Sequence, residues 1–556
     1  MLVSGNDWRV VSAPTGFLPR GEIVSQPAVQ SDYPDNIDAA VLKIAGVVVL
    51  GAIMSILDIT VVNVALPTFQ DEFGSPDSPV SYSTVAWTVT AYTLALATVI
   101  PLTGWAADRF GTKRLYMAAI FLFTAGSALC ATASSIDMLI GFRVLQGLGG
   151  GMLMPLGMTI MTKAAGPHRM GRLMAILGVP MLLGPILGPI LGGWLIQVAS
   201  WHWIFLINVP LGVIALIYAW RALAPDVAHK SESLDILGVV LMSPGLALFL
   251  FGISSLPAEG GDFGAPRVWV SMVIGVALML AFVWHSFRPE HPLLDLRLFR
   301  DRNLTVSIIT MFLFAAAFFG GLLLVPTYFQ QIRGESTLHA GLLVAPQGLG
   351  AMVTMPIAGR LVDKIPVGRI VPVGLALIVV GMFGLTQITA TTSYGLIIAM
   401  LVVMGFGMGG TMMPLFTTAL RGLSGHQVAR GSTLLNISQQ IASSVGVATM
   451  SVVLTNQLNN SPIIPGTQGA PGLGAGLRET QAAILSNTRP ESVSALHIDP
   501  GAIARGLVDA ASAFAHSYWV AWVLVTITLI PALMLPRKRQ APDLVEEGAA
   551  PPPMIH

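Results

Sequence analysis

A chain of 556 residues that is 54% hydrophobic and only 10% charged, with a mean hydropathy of +0.74, is not an ordinary soluble protein, since soluble domains carry about 25% charged residues. A formal net charge of +1 gives no electrostatic reason to expect nucleic acid or any other polyanion as a partner. The single cysteine, Cys130, sits in an apolar run and excludes an intrachain disulfide, so the redox compartment is not legible from it.

Residues 1–43 are expected to form a cytoplasmic N-terminal tail, whose first 38 residues are polar and proline-containing and lack the basic, apolar, small-residue succession of a cleavable signal peptide. The first span is therefore expected to insert uncleaved. A spanning helix takes roughly 20 mostly apolar residues. Fourteen runs meet that measure: 44–66, 84–104, 115–134, 138–162, 173–196, 203–220, 236–254, 268–287, 305–329, 340–358, 370–389, 394–419, 432–455 and 514–536. None shows the alternation, about ten residues long, of a membrane β-strand, so an all-α polytopic membrane protein is expected. With the N-terminus placed in the cytoplasm, 23 of the 29 Lys and Arg fall in inner segments. Arg267, Arg333, Arg478, Arg489 and Arg505 fall outside, and Arg143 lies within a span. This is the positive-inside pattern; it predicts a multi-pass protein of the cytoplasmic membrane with both termini inside.

The segment of about 457–513 then lies outside. It opens polar and Pro/Gly-rich and closes on the Ala-rich "PGAIARGLVDAASAFAHSYW", which has the composition of a helix on the outer face. It reads either as a tolerated surface insertion or as a lid over an outer vestibule. The tail, 537–556, has a disordered composition.

The chain repeats itself. "GWAADRFGTKR" (104–114) returns as "GRLVDKIPVGR" (359–369), with Gly359 over Gly104 and Asp363 over Asp108 at an offset of 255. "GLGGGMLMP" (147–155) returns as "GFGMGGTMMP" (405–414), with Pro414 over Pro155 at an offset of 259. The expected organisation is an N-terminal six-helix bundle over 44–222, two inserted helices with their linkers over 223–303, and a C-terminal six-helix bundle over 304–536. Parallel six-span repeats place a pathway between the halves near the bilayer midplane, worked by rocking one half on the other; a secondary transporter is expected, not an enzyme. "GFGMGG" (405–410) fits a dinucleotide fingerprint by letters alone, but it lies within an apolar helix with no preceding strand. No G-x-x-x-x-G-K-[ST] loop is present, so ATP is not expected to drive the protein, and no metal or organic cofactor is implied.

"VVVLGAIMSILDITVVNVALP" (47–67) carries Asp58 near its middle, at a cost of about 2.5–3.5 kcal/mol on insertion scales. Asp58 is either a structural acid neutralised by a neighbouring helix or a titrating group, raised by burial and lowered by a nearby cation. Arg143 is the obvious cation. The span boundaries put Asp58 about 13 Å and Arg143 about 9 Å below the outer ends of their helices, at similar depth. The pair reads as a static structural bridge or as a proton site. In "GWAADRFGTKR", Gly104 and Gly111 permit close approach and a tight turn, and Asp108 suits a facing helix N-terminus. Arg109, Lys113 and Arg114 by themselves read as inside-positive topology. "GPILGPILGG" (184–193) spaces Gly184, Gly188 and Gly192 on one helix face, with Pro185 and Pro189 loosening it and Gly193 at its end; small residues so spaced also serve ordinary helix association.

Together "LDITVVNVALP" (57–67), "GWAADRFGTKR", "IGFRVLQGLGGG" (140–151), "GPILGPILGG" and "WHWIFLINVP" (201–210) resemble the fourteen-span drug:proton antiporter branch of the major facilitator superfamily, the multidrug exporters of the EmrB/QacA kind, over roughly residues 44–536. The resemblance implies a major facilitator fold of two six-helix bundles plus two central helices. It also implies proton coupling at Asp58 and Arg143, an inner gate at the 104–114 loop and its copy at Gly359 and Asp363, and an exporter helix at 184–193. Pro366 and Val367 interrupt the basic stretch of the copy. Candidate substrate contacts at mid-membrane depth are Asn63, Trp87, Tyr92, Gln146, Gln347, Asn436, Gln439 and Gln440, each equally readable as a helix–helix hydrogen-bonding group. The 26 methionines suit an adaptable apolar cavity and also serve as simple gap-fillers. The expected activity is proton-driven export of hydrophobic or amphiphilic small molecules by a monomer in the lipid bilayer, protons being the coupling ion. A proton-coupled metabolite symporter, or a membrane sensor or lipid-handling protein on the same fold, are the alternatives.

Overall fold

The computed structural model describes residues 38–74, 80, 82–224, 233–421, 423, 427–459 and 500–537. Contacts divide the chain into Met1–Pro34, outside the described residues, and Asp35–His556, which contains everything that follows. Among the described residues the regular structure is helical: α1 Ala39–Phe73, α2 Tyr82–Phe110, α3 Thr112–Cys130, α4 Ile136–Val198, α5 His202–Leu206, α6 Asn208–Ala222, α7 Ile236–Ser255 and α8 Pro266–Ser286. A 3-10 turn over Leu296–Arg300 leads to α9 Arg302–Gln331, α10 Thr337–Val362, α11 Val367–Leu385, α12 Tyr394–Gly409, α13 Met412–Arg421, α14 Gln427–Asn459 and α15 Pro500–Leu533.

Side-chain caps set many of the starts. Asp38 accepts from the Val41 N–H at 2.8 Å, Asp235 from the Gly238 N–H at 2.8 Å and Asp301 from the Asn303 N–H at 2.7 Å; Ser135, Ser336 and Ser393 do the same for α4, α10 and α12. Such caps satisfy N–H groups that the first helical turn leaves orphaned.

Twelve helical segments among the described residues are long and apolar enough to cross a membrane. The expected runs 115–134 and 173–196 are not among them. The first is α3, 19 residues whose mean hydropathy is lowered by Lys113 and Arg114 in its first turn. The second is the far part of α4, and α4 is not one straight rod. Arg143 meets Asp58 of α1, while the Thr60 hydroxyl, two residues along α1, donates to the Gly184 carbonyl at 3.1 Å. Positions 143 and 184 would lie about 60 Å apart on a straight helix. Both touch the same turn of α1, so α4 doubles back and its two legs run side by side.

The Ala-rich end of the expected outer segment is a correction. It forms no separate helix on the outer face; it is the first part of α15, a 34-residue helix, with Ala510, Ala511 and Ala513 buried in the core. Residues 460–499 of the expected lid lie outside the described residues, as do 538–556 of the tail.

In the first half α1, α2 and α3 pack on α4, and α6 packs on α3 and α1; in the second α9 packs with α14 and α15, and α12 with α10 and α11. The inserted α7–α8 hairpin packs on itself and, through α7, on α2 and α14. The halves meet where α10 and α13 lie on the second leg of α4 and where α14 lies on α2.

Candidate functional site: a buried acid–arginine centre and two crossed latches

Five helices build the centre around Asp58. Asp58 Oδ2 faces Arg143 Nη1 at 2.5 Å, and neither side chain has any exposed area. Asp58 Oδ1 accepts from Gln146 Nε2 at 2.7 Å and from Asn208 Nδ2 at 3.3 Å. Every partner is a donor, which is the arrangement of an acceptor-only carboxylate. Gln146 also accepts from Arg143 Nη1 at 2.7 Å, so i and i+3 on α4 grip the same carboxylate together. Arg143 Nε donates to the Thr88 carbonyl of α2 at 3.0 Å, and its guanidinium lies 4.1 Å from the Tyr92 ring centre. Asn208 opens α6 and continues the network to Ser127 of α3 at 3.1 Å; the Tyr92 hydroxyl lies 3.2 Å from Ser55 Oγ. Arg143 Nη2 is buried without a hydrogen-bond partner among the described residues.

The depth estimate that set Asp58 beside Arg143 is met by direct contact. Sequence reasoning missed Asn208, Ser127 and Thr88. A signal for Asn208 was present, because it is the only side-chain amide within the run 203–220. Among the described residues the second half shows no such centre. At the offset of 259, Val402 stands where the first half has Arg143, and Gly405 where it has Gln146.

The basic ends of the two halves are held by a reciprocal pair of contacts. Gly104 of α2 lies against Arg430 and Thr433 of α14, where a Cβ would come within 3.3 Å of Thr433 Oγ1. Next to it Asp108 Oδ2 is 3.6 Å from Arg430 Nε, both side chains being less than 10% exposed. In the copy, Gly359 of α10 packs on Gly171 of α4, where a Cβ would sit 2.6 Å from the Gly171 carbonyl oxygen. Asp363 accepts from Arg421 at 2.8 Å and from the Gly171 N–H at 3.2 Å, and lies 3.5 Å from Arg172 Nε. Arg172 and Arg430 stand 258 residues apart, close to the repeat offset. Each motif Asp therefore reaches into the other half. Burial raises the Asp363 carboxyl above the usual carboxylate range, opposed by the Gly171 N–H, Arg421 and Arg172.

The rest of the motif divides. Gly111 has φ 87° at the start of α3, a turn that needs glycine; its counterpart Pro366 starts α11 at φ −57° without one. Lys113 donates to the carbonyls of Trp220 and Leu223, at the C-terminal end of α6 in its own half, where a cation is favoured. Arg109 ends α2 half-buried and Arg114 is exposed.

The glycine face of α4 lies on α1. A Cβ on Gly184 would fall 2.1 Å from Ile56 Cγ2, and one on Gly188 2.1 Å from Thr60 Oγ1; Gly192 meets Val61 at 3.1 Å, while Gly193 has open space. The side chains of Pro185 and Pro189 lie outside the described ones. Gly188→Ala is expected to force α1 and α4 apart, at about 1–3 kcal/mol for overpacking, and to lower both the thermal midpoint in detergent and transport. Gly193→Ala is expected to change neither, and equal effects at the two positions would show that this face does not matter.

Of the candidate substrate contacts, Tyr92 and Gln146 belong to the Asp58 centre. Trp87 stacks on Phe251 of α7 at 5.5 Å, and Asn63 is exposed. Asn436 donates to the Ser432 carbonyl at 2.8 Å and reaches Met158 of the other half at 3.4 Å. Gln439 and Gln440 follow it on α14, half-buried. Gln347 is buried, and its Oε1 has no hydrogen-bond partner among the described residues. Methionine packs between the halves, with Met355 and Met413 closing on Gly178. No cluster of metal-ligating side chains occurs among the described residues.

The sequence model of the Major Facilitator Superfamily matches residues 48–447. The chain is 45% identical to the multidrug resistance protein B homolog of Mycobacterium tuberculosis (strain H37Rv) over 96% of this chain and 97% of that one. It is 31% identical to the multidrug export protein EmrB of Haemophilus influenzae over 75% and 81% of the two chains. Among solved structures, the human organic anion transporter MFSD10 (TETRAN) superposes at a TM-score of 0.57 with 16% identity, covering 87% of this chain and 99% of that one.

Proposed function

The chain belongs to the major facilitator superfamily, as a multi-pass membrane transporter and not an enzyme, and we propose that it exports hydrophobic or amphiphilic small molecules across the cytoplasmic membrane in exchange for protons. The relatives named for multidrug resistance and export support the substrate class. The observation that carries proton coupling is the Asp58–Arg143 pair, an ionisable acid with no exposed side-chain area, held by donors from two other helices, α4 and α6. The topology in this reading has fourteen spans, the twelve together with α3 and the second leg of α4, and both termini in the cytoplasm.

The conformation described is then closed on the cytoplasmic side by Asp108–Arg430 and Asp363 with Arg172 and Arg421, and Asp58 is dry and ionised. Opening the site lets a proton reach Asp58. The proton removes the charge that holds Arg143, and the guanidinium keeps Gln146 and the Thr88 carbonyl. Freed of its ion pair, the first half repacks, and the halves tilt about the methionine-lined seam. Substrate sits between the halves, in contact with Asn436, Gln439 and Gln440, and donates a hydrogen bond to the spare oxygen of Gln347. No ATP, metal or organic cofactor takes part, and the monomer suffices.

Everted membrane vesicles energised to an acidic interior test this. Addition of a lipophilic cationic dye as substrate is expected to give dye accumulation together with alkalinisation of the interior. Dye movement that persists unchanged after the pH gradient is collapsed would overturn proton exchange, and substrate-linked proton movement in the same direction as dye would make the protein a symporter.

A further inference from the structure

The inserted hairpin ends in a group of residues that neither the latches nor the Asp58 centre uses. Among the described residues, α8 is the least buried of the candidate spans. Trp269 and Trp284, 49% and 65% exposed, stand near its two ends, about 22 Å apart along the axis. Tryptophan so placed belongs at the boundary between headgroups and acyl chains. At the Trp284 end the chain continues through exposed Phe287 and Arg288, and then turns over buried Leu293, Leu294 and Leu298 to the 3-10 turn.

Two guanidinium groups converge there. Arg288 stacks on the Trp284 ring with its central carbon 3.3 Å from the ring centre. Arg297 Nη2 donates to the carbonyl of Phe287, the residue beside Arg288, at 3.3 Å. Both arginines are exposed. Stacking occupies the face of a guanidinium and leaves its N–H edge available, and that edge matches a phosphate. Asp235 reaches this turn from the start of α7 and is engaged by the Leu293 N–H at 3.2 Å and by His285 at 2.7 Å; the acids within the turn itself are Glu290, Asp295 and Asp301. Asp295 accepts from the Arg297 backbone N–H at 3.1 Å, and Asp301 from those of Asn303 and Leu304 at 2.7 and 2.9 Å. Glu290, exposed in the same turn, is the one acid of the three without such a cap.

We infer that Arg288 and Arg297, with Trp284 and Phe287 beneath them, form a docking surface for the phosphate of an anionic phospholipid, whose acyl chains lie along the exposed face of α8. Positive-inside topology alone asks only for net charge near the helix ends. Here one arginine is held on an interfacial ring and the other on the adjacent backbone, beside a lipid-facing helix. A basic site of this kind holds anionic headgroups.

The test uses the full-length protein in nanodiscs of phosphatidylethanolamine alone or of an equimolar mixture with phosphatidylglycerol, reading the thermal midpoint and, by native mass spectrometry, retained phosphatidylglycerol. Phosphatidylglycerol is expected to raise the midpoint of the wild type and to remain bound. In Arg288→Gln/Arg297→Gln the retained lipid and the gain in midpoint are expected to fall by more than half; Arg221→Gln, an exposed arginine at the end of α6, is expected to keep both. The double variant retaining phosphatidylglycerol as the wild type does would overturn the site. So would an equal gain in midpoint from inorganic phosphate added to phosphatidylethanolamine discs, which would assign the surface to a free anion. Neither result depends on the transport direction or on Asp58.

Discussion

Asp58→Asn is expected to abolish proton-linked efflux and to destabilise the fold at the same time. From sequence alone this variant is expected to leave folding and membrane insertion intact. The structure changes that expectation. Arg143 has no exposed area and reaches Asp58 at 2.5 Å, so the substitution leaves a buried guanidinium uncompensated. Breaking a buried pair by removing one partner costs about 3–5 kcal/mol. Asn restores one acceptor at most, and it cannot supply the charge. The second variant, Asp58→Asn/Arg143→Leu, removes both charges and is expected to recover most of the thermal midpoint in detergent, since replacing a whole buried pair by apolar groups is often neutral. It should recover none of the proton-linked efflux. A double variant that stays as unstable as the single one would show that the surrounding amides, Gln146 and Asn208, and not the ion pair, govern stability here.

The second large effect is expected at the crossed latches. Asp108 and Arg430 are both less than 10% exposed in the closed conformation and would be solvated once α2 and α14 part. Asp108→Asn therefore destabilises the closed state selectively, and a buried-pair penalty of a few kcal/mol corresponds to a population shift of about a hundredfold. Spin-label distances between α2 and α14 should lengthen, and transport should fall with the inner side held open. The charge-swapped Asp108→Arg/Arg430→Asp should restore part of the closed population. At Asp363 the same distances, measured between α4 and α10, carry a pH dependence. Burial raises this carboxyl above its ordinary value in the closed state, and in the opened, solvated state it returns towards that value. The closed state thus binds the proton more tightly, and it gains as pH falls through the interval between the raised and ordinary values. The gain is lost as pH rises through the raised one. A closed population that shrinks on acidification would show that Arg421 and Arg172 outweigh burial.

Most of the fold was legible because membrane spans advertise themselves by apolar length and because the repeat carries landmarks. Gly104 and Gly359, 255 residues apart, each lie at a crossing between the halves. The glycine face at 184, 188 and 192 could be read from helical spacing, and its partner, the Ile56–Val61 stretch of α1, could not. Spacing within one helix says nothing about which helix it meets. Asp58 and Arg143 were legible because ionised groups in apolar runs are few, and depth counting brought them level. Asn208 and Ser127 were missed because neutral polar residues are common in spans and only contact reveals a shared acid. The pocket candidates fared unevenly for the same reason: Trp87 turned towards the inserted hairpin, and Tyr92 and Gln146 towards Arg143. The partners of the second latch are not legible from its interrupted basic stretch. Its arginines come from elsewhere in the chain, Arg172 on α4 and Arg421 on α13, and no local motif shows them.

The most direct measurement is proton release by the purified protein in weakly buffered detergent, followed with a pH-reporting dye as substrate is added. The wild type is expected to release protons saturably on substrate addition, whereas the stable Asp58→Asn/Arg143→Leu variant should bind the same substrate and release none. Equal release from that double variant would mean that the coupling proton resides on some other group.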